Sequence, residues 1–165
     1  MEMIMQITIQ RAMPEQHERL TQITFAAKKH WGYPERWMEI WKDALTITPE
    51  FIANNEVYIA RVESEIAGFY GLVASDGKVQ LEHMWVDPAY MGSGIGKRLF
   101  DHAIKAAASL GASSMDIESD PNAEGFYKRM GARRIGEFLT ELEGQPRALP
   151  LLVVDLVDRT PLGNE

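Results

Sequence analysis

The stretch "YMGSGIGKRLF", Tyr90–Phe100, places three glycines within five residues and then reads at once as a helix. The first N–H groups of a helix have no partner within it and carry the positive end of its dipole. Glycines before and inside that first turn let the backbone approach a phosphate with no Cβ in the way. Lys97 and Arg98 sharpen the point. Cations in a first turn oppose the dipole, and an anion bound there would reverse that sign. The same residues also read as a flexible strand-to-helix connector. Spacing narrows the phosphate reading. "GSGIGK" has a glycine at every second position, one residue short of the dinucleotide fingerprint, and no G-x-x-x-x-G-K-[ST] pattern occurs.

Two other stretches carry reactive or binding side chains. In "VQLEHMWV", Val79–Val86, a period of two puts Gln80, Glu82 and Met84 on one face and His83 on the other. Glu82 and His83 can each take a proton, and each also reads as an ordinary strand residue. In "KKHWGYPERWMEIW", His30, Trp31 and Tyr33 fall in a loop, where aromatics are not easily explained as core. Trp37 and Trp41 stand i, i+4 on a helix and read as packing. The chain has no cysteine, which excludes a disulfide scaffold, a cysteine-ligated metal and a thiol nucleophile. No metal is expected.

The elements that must position these residues follow from periodicity and punctuation. Ile4–Ala12 alternates as a strand, and Pro14 opens a helix over about Glu15–Lys29. Gly32 and Pro34 break it. A second helix is expected over Glu35–Leu45, with Trp37, Ile40, Trp41 and Ala44 as its apolar stripe, and a helical turn near Pro49–Ala53. "VYIARV", "IAGFYGLVA" and "VQLEHMWV" then form an antiparallel meander, joined at Glu63–Glu65 and at Ser75–Lys78. Asp87-Pro88 ends the third strand. In the helix Gly94–Leu110, the residues Ile95, Leu99, Ala103, Ala106 and Leu110 make the stripe, and Gly111 stops it. "SSMDIES" is a strand. "DPNAEGFYKRMG" is a short helix capped by Asp120. "ARRIGEF" and "LPLLVVDL" are the last strands, with "TELEGQPRA" as the loop between them. The strand–helix–strand unit from Val79 to Ser119 should place its two strands parallel.

The bulk properties set bounds. A chain of 165 residues, 45% hydrophobic and 25% charged, fits one soluble globular domain. A net charge of −7 argues against general nucleic-acid binding and mildly favours cationic partners. "MEMIMQITIQR" lacks the pattern of a signal peptide, and no run approaches the roughly 18 apolar residues of a membrane span. A cytoplasmic protein without a membrane partner is expected.

Two segments together carry a family resemblance. "HMWVDPAYMGSGIGKRLFDHA" followed by "IESDPNAEGFYKRMGARRIGE" resembles the GNAT superfamily of acyl-CoA-dependent N-acetyltransferases. The family loop Q/R-x-x-G-x-G/A falls on Met91, Gly92, Ser93, Gly94, Ile95 and Gly96. A-x-x-F-Y-x-x-x-G is matched by Ala123, Phe126, Tyr127 and Gly131. The resemblance covers about Glu56–Glu137 and also fits the order of elements. It implies an α/β fold with a mixed sheet, in which the antiparallel meander runs into the parallel βαβ unit and the central strands splay. It implies one N-acetyltransferase domain over 1–165, with a CoA-binding core at about 56–137 and a helical acceptor side at 13–53.

Site residues follow from the same resemblance. Backbone N–H groups from Met91 to Lys97 would hold the CoA pyrophosphate, and Trp85 and Val86 would bond the pantetheine arm. Phe126 and Asn122 would lie on the cofactor side, and Tyr127 matches the family's general acid. The base sits on the strand of Glu82, and His30, Trp31 and Tyr33 would wall the acceptor. Two positions depart from the pattern: Met91 stands where the family has Gln or Arg, and Asp120 where it often has Asn.

The implied reaction transfers an acetyl group from acetyl-CoA to a primary amine of a small molecule or peptide by direct attack in a ternary complex. An alkylamine is only roughly 0.04% neutral at pH 7, so a base such as Glu82 would assist. A CoA-binding sensor or partner module without turnover, and an acyltransferase using a longer acyl group, are the competing readings. The scaffold serves many amines, so the acceptor is not named by it. The oligomeric state stays open, a homodimer included.

Overall fold

The computed structural model describes residues 6–157. The alternating segment near the N-terminus is a strand, β1 (Ile7–Arg11); Ile4 and Met5, where it was expected to begin, lie outside the described residues. Pro14 opens a short 3-10 turn and α1 (His17–His30) follows, with Leu20, Ile23 and Ala27 buried at helical spacing. Gly32, at φ +84°, breaks the chain direction as a left-handed residue can. Next come α2 (Glu35–Ile40), α3 (Lys42–Leu45) and α4 (Pro49–Asn54). The Thr48 hydroxyl caps α4 by accepting the Phe51 N–H at 3.0 Å. The meander is β2 (Glu56–Val62), β3 (Glu65–Ser75) and β4 (Lys78–Val86). It leads into α5 (Ile95–Ser109), β5 (Ser114–Glu118), α6 (Glu124–Arg129), β6 (Arg133–Leu142) and β7 (Gln145–Asp155).

The seven strands form one mixed sheet in the order β1-β2-β3-β4-β5-β7-β6. The expected parallel pair is β4 with β5, at Val79↔Met115 and Gln80↔Asp116. Among the described residues the ladder ends with that second pair, well before β4 does. β1 pairs antiparallel with β2, and β7 pairs antiparallel with both β5 and β6. The chain divides into two compact units. One holds the residues up to Gly71 with His83–Phe100, and its core gathers Leu20, Ile23, Ile52, Val57, Ile59 and Phe69. The other holds Leu72–Glu82 and the residues from Asp101 on. There, Met115 lies opposite Val154 and Ile117 opposite Leu152, all four buried.

Four expectations need correction. The single helix over Glu35–Leu45 is two, separated at Trp41, and its stripe is different: Ile40 and Ala44 are exposed while Met38 and Leu45 are buried. Breaking the helix at Trp41 takes Ala44 out of the phase set before it. Leu110, expected to extend the α5 stripe, is exposed beside the stop at Gly111. His30 is the last residue of α1 and not part of a loop. Finally, "TELEGQPRA" is not a loop. β6 and β7 run through it and meet at a tight turn, with Glu143 and Gly144 at φ +53° and +77°.

Candidate active site

The glycine run is a bend with two left-handed residues. Gly92 and Gly94 have φ of +79° and +85°, and a Cβ built at either would meet nothing within 4 Å. Backbone conformation, not crowding, therefore explains glycine at both positions, and the space beside them is open. The Ser93 hydroxyl donates to the Tyr90 carbonyl and fixes the residue between them. The first helical amide to close is that of Arg98, onto the Gly94 carbonyl at 3.1 Å. The amides of Ile95, Gly96 and Lys97 precede it, as the open N–H groups of a first turn do. Arg98 turns a guanidinium nitrogen to the Ile7 carbonyl at 3.2 Å, while Lys97 is exposed. Met91 is 41% exposed and brings no polar side-chain group. This donor set fits a pyrophosphate: backbone amides at a helix start, open space beside two glycines and an exposed lysine.

The end of β4 is held by a close approach. A Cβ on Gly68 of β3 would lie 2.7 Å from the Trp85 carbonyl oxygen and 3.3 Å from the Val86 Cα. Only glycine admits β4 at this distance. The backbone of Trp85 and Val86, expected to bond a pantetheine arm, is thereby set by a residue of the neighbouring strand.

Period two separates Glu82 from His83 as expected. Glu82 stands on the exposed face. Partial burial of its carboxyl, with the nearby charge of Glu118, pushes its pKa up. The position of Glu118 follows from register. Gln80 faces Asp116, so two residues on each strand bring Glu82 and Glu118 to the same face. His83 is enclosed by Phe51 and Phe69, with ring centroids at 5.4 and 6.1 Å. Burial pushes its pKa down to about 4. Its Nδ1 accepts the Trp85 indole N–H at 3.1 Å, so the neutral ring carries its proton on Nε2. A ring so committed is a poor proton acceptor at neutral pH.

The Tyr127 segment is built from Asp120 onward. The Asp120 Oδ1 accepts the Asn122 N–H at 2.8 Å and the Asn122 side-chain NH2 at 3.0 Å. The Asn122 carboxamide is thus turned to Asp120 on one side. Arg147 lies 3.5 Å from the other Asp120 oxygen. Tyr127 is buried, and its ring meets Phe126 edge-on at 5.4 Å. Burial, with the charge of Asp120 adding to it, pushes the Tyr127 phenol well above its ordinary pKa. Such a phenol keeps its proton and donates a hydrogen bond more readily than it ionises.

The aromatic run closes around a cation that sequence reasoning passed over. The Lys28 ammonium lies 4.4 Å from the Trp41 ring centroid, 5.1 Å from that of Tyr33 and 5.8 Å from that of Trp31. Tyr33 meets Trp41 edge-on at 4.9 Å, and Trp31 lies 6.2 Å from Trp85. Trp31 and Tyr33 therefore belong to one cluster, and His30 is exposed at the end of α1. A signal for Lys28 existed: Leu20, Thr24 and Lys28 fall at i, i+4, i+8, and all three are buried. Glu118 was also missed, since its register with Glu82 needs the parallel pairing of two strands.

A family model described as "Acetyltransferase (GNAT) family" matches residues 15–132, a span that includes the glycine run and Tyr127. Over 134 residues the chain is 28% identical to the peptidyl-lysine N-acetyltransferase YjaB of Salmonella typhimurium, covering 72% of this chain and 88% of that protein. Two solved structures share the fold. One is a GCN5-related N-acetyltransferase from Rhodopseudomonas palustris, with a TM-score of 0.77 and 21% identity over 94% of this chain and 99% of that one. The other is the PaiA N-acetyltransferase of Thermoplasma acidophilum in complex with coenzyme A, with a TM-score of 0.71 and 22% identity over 92% and 99%. At these identities the two structures speak to the fold alone.

Proposed function

Because the chain belongs to the acetyltransferase (GNAT) family, we propose that it transfers the acetyl group of acetyl-CoA to a primary amine of a small molecule or peptide, by direct attack in a ternary complex. The observation that carries this reading is the pair of left-handed glycines leading into α5, which leaves first-turn amides open beside uncrowded backbone. Acetyl-CoA supplies an activated acyl thioester. The amides from Gly92 to Lys97 bind its pyrophosphate, the Met91 amide being turned back to the Pro88 carbonyl, and the backbone of Trp85 and Val86 orients its pantetheine arm. The family resemblance adds Phe126 and Asn122 to the residues proposed for cofactor binding.

Glu82 takes the proton of the acceptor ammonium on a carboxylate oxygen, directly or through water. Its raised pKa brings it nearer the working pH, which favours a base that must also release its proton. Tyr127 holds its proton on Oη and donates a hydrogen bond to the leaving sulfur. A phenol is a weaker acid than a thiol by about 2 kcal/mol, and burial widens that gap. Hydrogen bonding to the developing thiolate, more than full proton transfer, is its contribution. The helical region 13–53 walls the acceptor, with His30, Trp31 and Tyr33 toward it. A peptidyl lysine, the acceptor named for the Salmonella relative, is the first amine to offer.

The test is release of free CoA thiol from acetyl-CoA across a panel of amines that includes lysine peptides. Turnover with at least one amine is expected. Tyr127→Phe should lower the rate at least tenfold while CoA binds as before. No release with any amine would overturn the transferase reading, and unchanged turnover in Tyr127→Phe would remove that residue from the chemistry.

A further inference from the structure

We infer that Arg19 of α1 is a positioning residue for the cofactor loop, an inference that rests on the CoA reading of that loop given above. The route runs through Asp87, the residue that follows β4. The Asp87 N–H donates to the Ala67 carbonyl at 2.8 Å, which ties the end of β4 to β3. The Asp87 Oδ1 accepts the Ala89 N–H at 2.9 Å and caps the 3-10 turn Pro88–Tyr90. The turn closes with the Tyr90 N–H on the Asp87 carbonyl at 2.8 Å and the Met91 N–H on the Pro88 carbonyl at 3.3 Å. Gly92 follows at once. Every link from Asp87 to the first left-handed glycine is thus hydrogen-bonded.

Arg19 holds the other carboxylate oxygen. Its Nη2 donates to Asp87 Oδ2 at 2.7 Å and also to the Ile66 carbonyl at 2.9 Å. A single guanidinium nitrogen therefore joins the residue after β4 to the start of β3, and both to α1. The pair is partly shielded, with side-chain exposures of 31% for Arg19 and 18% for Asp87. Burial acts to raise the Asp87 carboxyl, but the Ala89 amide and the Arg19 guanidinium outweigh it and hold it below the usual carboxylate range. The pair therefore stays charged at neutral pH, and a charge-assisted hydrogen bond of this kind is stronger than a neutral one.

The position gives Arg19 a role that reaches beyond packing. α1 begins the helical region assigned to the acceptor, and Arg19 is the strut from that helix to the loop. Removing the strut frees the turn before Gly92, so the loop must be ordered when the cofactor binds. That cost falls on cofactor affinity and spares the chemical step.

The experiment compares wild type with Arg19→Met, Arg19→Lys and Asp87→Asn by calorimetric titration of CoA, steady-state kinetics and thermal melts. Arg19→Met should raise the CoA Kd and the KM for acetyl-CoA about tenfold, the scale of a charged hydrogen bond, and leave kcat within about twofold. Arg19→Lys should recover most of the loss, since one ammonium can also donate twice from one nitrogen. Asp87→Asn keeps an oxygen for the Ala89 cap but sets an NH2 donor against the Arg19 guanidinium, so it loses the charge pair and should raise KM about as far as Arg19→Met. It also carries the test alone should Arg19→Met not fold. If wild type itself does not bind CoA, the loop reading falls. If CoA binds and neither Arg19→Met nor Asp87→Asn changes KM, or kcat falls with KM unmoved, the Arg19 inference is overturned.

Discussion

Glu82 and His83 are adjacent in sequence and opposite in chemistry, and the difference is burial. His83 is enclosed by two phenylalanine rings and bonded by Trp85, so it stays neutral until the pH falls toward about 4. Glu82 keeps access to water and is raised by burial first and by Glu118 second. A base works when deprotonated, so its pKa sets the ascending acid limb of the pH–rate profile. Glu82→Gln should abolish that limb. Glu118→Gln should move it to lower pH, because losing a nearby negative charge makes Glu82 more acidic. A profile of log kcat/KM against pH reads both, and a limb unmoved in Glu118→Gln would separate the two carboxylates. Sequence period told the two faces of β4 apart. It could not tell which face is wrapped by aromatics, because Phe51 and Phe69 come from α4 and β3.

At the scale of elements, Gly68 matters because a strand must come close. An alanine there would place its Cβ 2.7 Å from a backbone oxygen, nearer than real contacts allow. Gly68→Ala should destabilise the fold by about 1–3 kcal/mol, the usual cost of overpacking. It should also raise KM for acetyl-CoA, since the displaced atom is the Trp85 carbonyl. Thermal melts and saturation kinetics check the two effects separately. Elements bounded by glycine, proline or a capping side chain were legible: α5 begins and ends where Gly94 and Gly111 say, and Asp76-Gly77 makes its hairpin. Both β6 and β7 were expected, but their extension into a hairpin with a tight turn was not legible. Its residues are mostly exposed, so no apolar alternation marks them, and Pro146 argues against a strand. Its turn also uses a glutamate in the left-handed region, where asparagine or glycine would have been the signal.

For the whole molecule, the order of elements, the parallel pair and the family could be read from the sequence, because each rests on local spacing. What could not be read is what joins distant segments: Arg19 to Asp87, 68 residues apart, and Lys28 to rings on both sides of a helix break. Among the described residues no helix is long and apolar enough to cross a membrane. The rings around Lys28 have a further consequence, and it is optical. The chain has four tryptophans, Trp31, Trp37, Trp41 and Trp85. Trp37 lies 5.9 Å from Trp41 and Trp31 lies 6.2 Å from Trp85, so the indoles stand as two close pairs. Chromophores that near share excitation, so the circular dichroism of wild type should contain a two-lobed band that Trp41→Phe diminishes. Emission from all four originates in the region assigned to the acceptor and the end of β4. An arriving amine should therefore announce itself by quenching native fluorescence, with no label attached, and Lys28→Met should shift the same emission by taking a cation away from the rings.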